Sequence, residues 1–292
     1  MMKKIGLSAA VVLLFFAMGY FAFKQPSNQE LHLTSITSFH DVQNVLNRLG
    51  PDDIVFFDVD DTLLTANDYL PRHFVLPTLF KTLAVVRYPR LRQREYSEHV
   101  FSAMLQQAPR FLTEQSVTGI IHKLRQQGTR VMVITGMESG AFGDIASMPA
   151  WRSEMLEQFG VSLSREFVNT TFDTFPSYRG NYPCLYNGLI CCNQRSKGEV
   201  IDAFLKHFNL KPAIMVHFDD SPEELVSSRA VCLKQGIAPL CFHYQGAAKI
   251  KHLPWSTRRA FAQLNKLLLD GRWISDEEAE AASQIKWINI FF

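Results

Sequence analysis

Three short apolar runs divide the chain: Ile54-Val-Phe-Phe57, Val131-Met-Val-Ile134 and Ala213-Ile-Met-Val-His-Phe218. Runs of this length without polar alternation predict strands buried on both faces of a parallel sheet. Between and after them the apolar positions change to helical spacing. Val117, Ile120, Ile121 and Leu124 form one such face, Val200, Ile201, Phe204 and Leu205 a second, and Phe261, Leu264, Leu267 and Leu268 a third within Thr257–Leu269. Trp151–Phe159 also reads as a helix, Phe167–Phe172 as an extended segment and Pro239–Tyr244 as a last strand. Ser38 is placed to cap a short helix bearing Val42, Val45, Leu46 and Leu49, which Gly50-Pro51 ends. Strands alternating with helices predict an α/β fold with a doubly wound parallel sheet.

Two stretches depart from that alternation. Residues 65–113 carry helical patterning, with Phe101, Met104, Leu105 and Ala108 on one face. So long a connection is no loop, and it predicts a small helical cap over the sheet edge. Pro183–Cys192 is centred on Asn187-Gly188, the strongest short turn signal, and predicts a β-hairpin insertion. Ser275-Asp-Glu-Glu278 has capping-box spacing before a final segment.

The amino terminus is a separate matter. Ile5–Phe23 is free of charge and follows Lys3-Lys4. As a helix it would be about 28 Å long, enough to cross a bilayer core. Residues 1–24 are therefore expected to be a signal peptide or a membrane anchor with its amino end cytoplasmic. The rest, 25–292, would be exported, either membrane-anchored or periplasmic or secreted. The chain carries a formal charge of +2, and outside residues 1–24 the basic and acidic side chains nearly balance, 27 against 28. That balance argues against nucleic acid as a partner. Five cysteines, at 184, 191, 192, 232 and 241, fit no zinc spacing; buried apolar thiols are the favoured reading, with a disulfide left open. The basic run Arg87, Arg90, Arg92 and Arg94 reads first as a solvated face and second as an anion-binding patch.

Chemistry collects where the strands end. The first run leads into Asp58-Val-Asp60-Asp61-Thr62, the second into Thr135-Gly136, the third into Asp219-Asp220-Ser221. In open α/β sheets ligands bind outside the carboxyl ends of the strands. Carboxylates crowded there repel unless a cation sits among them, and a few hard oxygen ligands favour Mg²⁺. Ser221-Pro-Glu-Glu224 is also good helix-start chemistry. Lys197 begins a helix, where a cation is misplaced against the helix dipole unless an anion is near.

These four pieces, in this order, resemble the motifs of the haloacid dehalogenase (HAD) superfamily of phosphohydrolases, over roughly Ile54 to Tyr244. The resemblance implies a HAD-like, Rossmann-type domain and a Mg²⁺-dependent phosphomonoester hydrolase working through an aspartyl-phosphate. It implies Asp58 as nucleophile and Asp60 as the acid that protonates the leaving oxygen and then activates water. Thr135 and Lys197 would hold phosphoryl oxygens. Mg²⁺ would be held by Asp58, the Asp60 backbone carbonyl and Asp219, with Asp220 as a ligand or orienting group. Side chains two apart alternate along a strand, so the chain must leave strand geometry after Asp58 for both acids to face one substrate. The residue before the fourth-motif aspartate, often glycine in that superfamily, is Phe218, a bulk that would narrow a pocket. The ending Phe218-Asp-Asp-Ser-Pro222, the Asn-Gly hairpin, Phe242-His-Tyr-Gln-Gly246 and Trp273-Ile-Ser-Asp-Glu-Glu-Ala279 further resemble the DUF2608 group of bacterial exported proteins. The substrate would be a phosphorylated compound of unread identity. The alternatives are a phosphotransferase sharing every one of these residues and a non-catalytic binding protein on the same fold.

Overall fold

The computed structural model describes residues 33–72 and 78–284. In chain order its elements are β1 (Thr34–Ile36), α1 (Gln43–Leu46), β2 (Ile54–Asp58), β3 (Leu64–Ala66), α2 (Tyr69–Arg72), α3 (Thr78–Arg87), α4 (Arg94–Gln107) and β4 (Arg110–Leu112). There follow α5 (Val117–Gln126), β5 (Arg130–Thr135), α6 (Met148–Gln158), β6 (Thr170–Thr171), β7 (Cys184–Tyr186), β8 (Leu189–Cys191), α7 (Lys197–His207), β9 (Ile214–Asp219), α8 (Pro222–Gln235), β10 (Ala238–Tyr244), α9 (Thr257–Asp270) and α10 (Asp276–Gln284). Eight strands form one sheet in the order β1-β10-β9-β2-β5-β8-β7-β6. Every pairing from β1 to β8 is parallel, and only β7 runs against its neighbours. This is the doubly wound α/β arrangement expected.

The three apolar runs are the three central strands, β2 flanked by β5 and β9. Ile54, Phe56, Met132, Ile134 and Met215 face one layer with Val200, Ile201 and Phe204 of α7. Val55, Phe57, Val131, Val133, Val216 and Phe218 face the other with Phe39 and with Ile120, Ile121 and Leu124 of α5. Burial on both faces is why no alternation is visible in these segments. The four side chains Ile54–Phe57 are fully buried, and their transfer contributes on the order of 6–12 kcal/mol before conformational entropy is subtracted. Phe218 stacks between Phe57 and Phe242, at centroid distances of 4.9 and 5.2 Å. Its bulk is therefore taken up in the core rather than in the crevice at the strand end.

The hairpin forms at the expected turn, with Asn187 and Gly188 at φ +48° and +86°. A Cβ at Gly188 would lie 2.1 Å from the Ser164 carbonyl oxygen, so glycine is required there by close approach as well as by φ. The hairpin is an extension of the main sheet: β8 pairs in parallel with β5.

The helices α2 to α4 lie between β3 and β4, which pair antiparallel with Leu64 opposite Leu112. Leu70, Phe80, Ala84, Leu91, Val100, Met104 and Leu105 make the core of this region, but Ala260, Leu264, Leu267 and Trp273 from the C-terminal part share it. Polar contacts seal the joint. Trp273 Nε1 donates to Asp68 Oδ2 at 2.8 Å, and the Asp276 backbone N–H donates to Asp68 Oδ1 at 2.8 Å. The capping box is present in both directions: Ser275 N–H to Glu278 Oε2 at 2.9 Å and Glu278 N–H to Ser275 Oγ at 3.1 Å.

Some expectations change and some hold. The extended segment expected over Phe167–Phe172 is a strand only at Thr170–Thr171. The three-residue strands β1, β3 and β4 carry no periodicity and were not anticipated. The five cysteines are free thiols, all buried except half-buried Cys184. The basic run lies on the surface: Arg90 sits over Tyr96 at 4.3 Å and Arg94 donates to Glu98 at 2.6 Å. The expectation of a membrane partner is corrected. Residues 1–24, on which it rested, lie outside the described residues, and among the described residues no helix is long and apolar enough to cross a membrane. The longest of these helices have 14 residues and one polar face, about 21 Å against a core of about 30 Å.

Candidate active site

The winding of the sheet reverses at β2: the chain moves outward to β5 and β8 on one side, then returns to β9 and β10 on the other. A crevice opens at such a reversal, and four of the expected residues converge there. Asp58 ends β2. Ile134 is its partner on β5, so Thr135 stands one residue beyond. Phe57 pairs with Phe218, which puts Asp219 level with Asp58 on the other side. Lys197 is the first residue of α7, the helix that follows β8.

Lys197 ties the group together. Its Nζ donates to Asp58 Oδ1 and to Asp219 Oδ2, both at 2.5 Å. The side chain is only 6% exposed, so this is no solvated surface lysine. Burial alone would favour the neutral amine, yet Asp219 and Asp58 outweigh it and hold Lys197 well above its ordinary value. The helix start that carries Lys197 is itself fixed. Ser196 caps α7 through the Glu199 N–H, and Glu224 Oε2 accepts the Lys197 backbone N–H at 2.7 Å. Gly198 lets α7 approach α8 closely, since a Cβ there would lie 2.3 Å from Ser227 Oγ.

The acids differ in state. Burial pushes Asp58 well above the usual carboxylate range; Asp219 and Asp220 add to this and Lys197 opposes it. Asp219 is desolvated too, but Lys197 and His217 bring it down to about 2. The Ser221 N–H also donates to its Oδ1 at 3.0 Å, and His217 Nε2 lies 3.2 Å from its Oδ2. Asp220, whose side chain reaches solvent, is pushed up to about 7 by desolvation and by Asp219. Ligand atoms of Asp58, Asp219 and Asp220 all lie within 4.8 Å of one another. Asp58 Oδ2 is buried with no hydrogen-bond partner among the described residues.

Asp60 faces a different environment. The backbone leaves strand geometry after Asp58, as it must for both acids to reach one crevice. Asp61 takes φ +57°, its N–H donates to the Leu64 carbonyl at 2.7 Å, and the Leu63 and Leu64 N–H groups both donate to the Val59 carbonyl. Asp61 is pinned in that turn by Thr65 Oγ1 and by Arg72 Nε at 3.2 Å. Asp60 Oδ1 then accepts from two guanidiniums, Arg110 Nη1 at 3.2 Å and Arg152 Nη1 at 3.0 Å. Burial alone would raise Asp60, but Arg152 and Arg110 hold it below the usual range. Burial and the neighbouring Arg152 bring Arg110 down to about 10.

Thr135 is buried, and its Oγ1 accepts the Met137 N–H at 3.3 Å. That bond keeps the hydroxyl oxygen at the strand end and leaves its proton available to a ligand. Arg110, Arg152, Glu224 and His217 are the site residues that sequence reasoning missed. Arg110 stands in an apolar stretch, Ala108-Pro-Arg-Phe-Leu112, which is a weak signal for a buried charge. Arg152 and Glu224 lie on helices among ordinary surface charges, and nothing local marks them.

An uncharacterized protein of Rickettsia prowazekii is 20% identical over 240 residues, covering 82% of this chain and 85% of that protein. Uncharacterized proteins of Rickettsia conorii and Rickettsia bellii are 24% and 23% identical over 53% and 41% of this chain. The chain spans 57% and 42% of the lengths of those two. No solved structure matches. The family described as "Protein of unknown function (DUF2608)" matches residues 35–280, nearly the whole described region, and the chain belongs to that family.

Proposed function

We propose that this protein is a phosphomonoester hydrolase of HAD type, dependent on Mg²⁺ and working through an aspartyl-phosphate on Asp58. The observation that carries the reading is the buried lysine bridging Asp58 and Asp219 at the carboxyl edge of the sheet, with Asp60 and Thr135 beside it. A buried cation between two acids contributes little net stability compared with apolar packing, so a catalytic role explains its presence better than a structural one.

The donor set fits a hard divalent cation. Three carboxylates face one lysine, and Asp58 Oδ2 is desolvated without a partner among the described residues. Asp58, Asp219 and Asp220 would hold Mg²⁺, with the Asp60 backbone carbonyl as a further ligand. Bound there, the ion would neutralise phosphoryl charge and keep Asp58 ionised. Asp58 Oδ1 would attack phosphorus while Lys197 and Thr135 hold the equatorial oxygens and offset their charge. Asp60 is ionised at rest, the state required of a base that takes a proton from the hydrolytic water. Its earlier role, protonating the leaving oxygen, requires it first to take up a proton from solvent or from a substrate monoanion, which a looser hold of the arginines on Oδ1 would favour when substrate enters.

Two measurements test this. The full chain is expected to hydrolyse 4-nitrophenyl phosphate with added Mg²⁺ and not in its absence. A well-folded protein that shows neither turnover nor a Mg²⁺-dependent rise in melting temperature would refute the reading. Mg²⁺ affinity is expected to rise with pH. Asp220 titrates near pH 7; below that a proton competes for the same oxygens, above it the carboxylate is free to ligate. Calorimetric titrations at pH 6 and 8 should show the tighter binding at pH 8, and equal affinities would remove Asp220 from the ligand set.

A further inference from the structure

Lys197 faces Asp58 and Asp219, and Arg72 faces Asp61. Arg110 and Arg152, in contrast, share a single oxygen of a single acid, Asp60 Oδ1. Both side chains are nearly completely buried, at 3% and 2% exposure. Arg110 Nε, Arg110 Nη2 and Arg152 Nε are buried donors with no partner among the described residues. A buried guanidinium without its own counter-ion is costly, and one arginine would suffice to neutralise Asp60. Arg152 is held in place by its neighbour Trp151, 4.9 Å from guanidinium carbon to ring centroid. The two arginines come from β4 at the base of the cap and from α6 of the main domain, so both regions contribute one donor to the same point.

We infer that Arg110 and Arg152 form a subsite for a second anionic group on the substrate, a carboxylate or a second phosphate borne by the leaving group. The inference rests on the phosphatase reading of the same crevice. Asp60 lies two residues from Asp58, a span of at most about 7 Å of chain. The two anionic groups of the substrate therefore sit on a short spacer of a few atoms. Planar guanidiniums present paired N–H groups that suit either anion. The second anion takes up the donors left without partners and compensates the charge that Asp60 alone does not.

The test uses ligands that cannot be hydrolysed as esters. Propylphosphonate carries one anionic group, 3-phosphonopropionate adds a carboxylate, and propane-1,3-diylbisphosphonate adds a second phosphonate. Their affinities for the full chain with Mg²⁺ are measured by calorimetry. At least one two-anion ligand is expected to bind tenfold or more tightly than propylphosphonate, and which one does so identifies the anion. In Arg110→Gln and Arg152→Gln that preference should fall to near unity. Arg110→Lys and Arg152→Lys keep the charge, guard against loss of fold, and should retain part of the preference. Equal binding of all three ligands, or a preference that survives both Gln substitutions, overturns the inference while leaving the phosphatase reading intact. No binding of any phosphonate overturns both.

Discussion

Replacing Lys197 by methionine is expected to cost about 3–5 kcal/mol of stability near pH 8, the cost of leaving buried acids without their cation. In a chain of this size that corresponds to a fall in melting temperature of roughly 10 °C. The loss should be smaller near pH 5. With Lys197 present, Asp219 is brought down to about 2, below its unfolded value, so its contribution is fully present above about pH 4 and lost only as pH falls through 2. Without Lys197, Asp58 and Asp219 face each other desolvated, and protonation relieves them as the solution becomes more acidic. Mg²⁺ should raise the melting temperature of the variant more than that of the parent, because the ion supplies the missing charge. Thermal unfolding of both proteins at pH 5 and 8, with and without Mg²⁺, checks all three points. An unchanged melting temperature, or an equal loss at both pH values, would mean that the lysine is not the counter-charge of the site.

Asp58→Asn should separate activity from stability. Turnover of 4-nitrophenyl phosphate is expected to fall by about 10⁴-fold or more, the scale seen when a nucleophile is removed from a concerted set of groups. Stability at pH 8 is expected to stay level or rise. Asp58 is desolvated beside Asp219 and Asp220, and its carboxyl is pushed up by that burial; a group whose folded value is raised destabilises the fold as pH climbs past its unfolded value. The amide removes that penalty, while Asp219 remains for Lys197. A variant that loses both stability and activity would instead show Asp58 to be a structural partner of the lysine, and the nucleophile would have to be sought elsewhere. Such opposition between activity and stability is usual where like charges are held together for function.

Much of this arrangement was legible before any contact was known. The apolar runs at Ile54, Val131 and Ala213 predict central strands because burial on both faces leaves no polar position to interrupt them. Polar residues directly after such runs then mark one edge of the sheet, and Asp58, Thr135 and Asp219 do meet there. Lys197 could be suspected from its awkward place at a helix start and from its position between the second and fourth motif-like pieces, but its two partners are 139 and 22 residues distant. The hairpin turn was legible because Asn-Gly satisfies positive φ locally, but its joining the sheet through β8 depends on pairing with β5, which no local signal encodes.

The sequence by itself determined the strand cores, the turns, the helix caps at Ser38, Ser221 and Ser275, and the acids that follow each strand, because each depends on neighbours within a few residues. Only the tertiary structure decided which acids share a cation and which do not. Asp60 is bound by arginines 50 and 92 residues away, and the helices α2 to α4 complete their core with α9 and Trp273 from the far end of the chain. The physical reason is the same in both cases. A buried charge or an apolar face is stabilised by whatever the fold brings against it, and the strength of that contact depends on distance in space and on exclusion of water, neither of which is a property of sequence spacing.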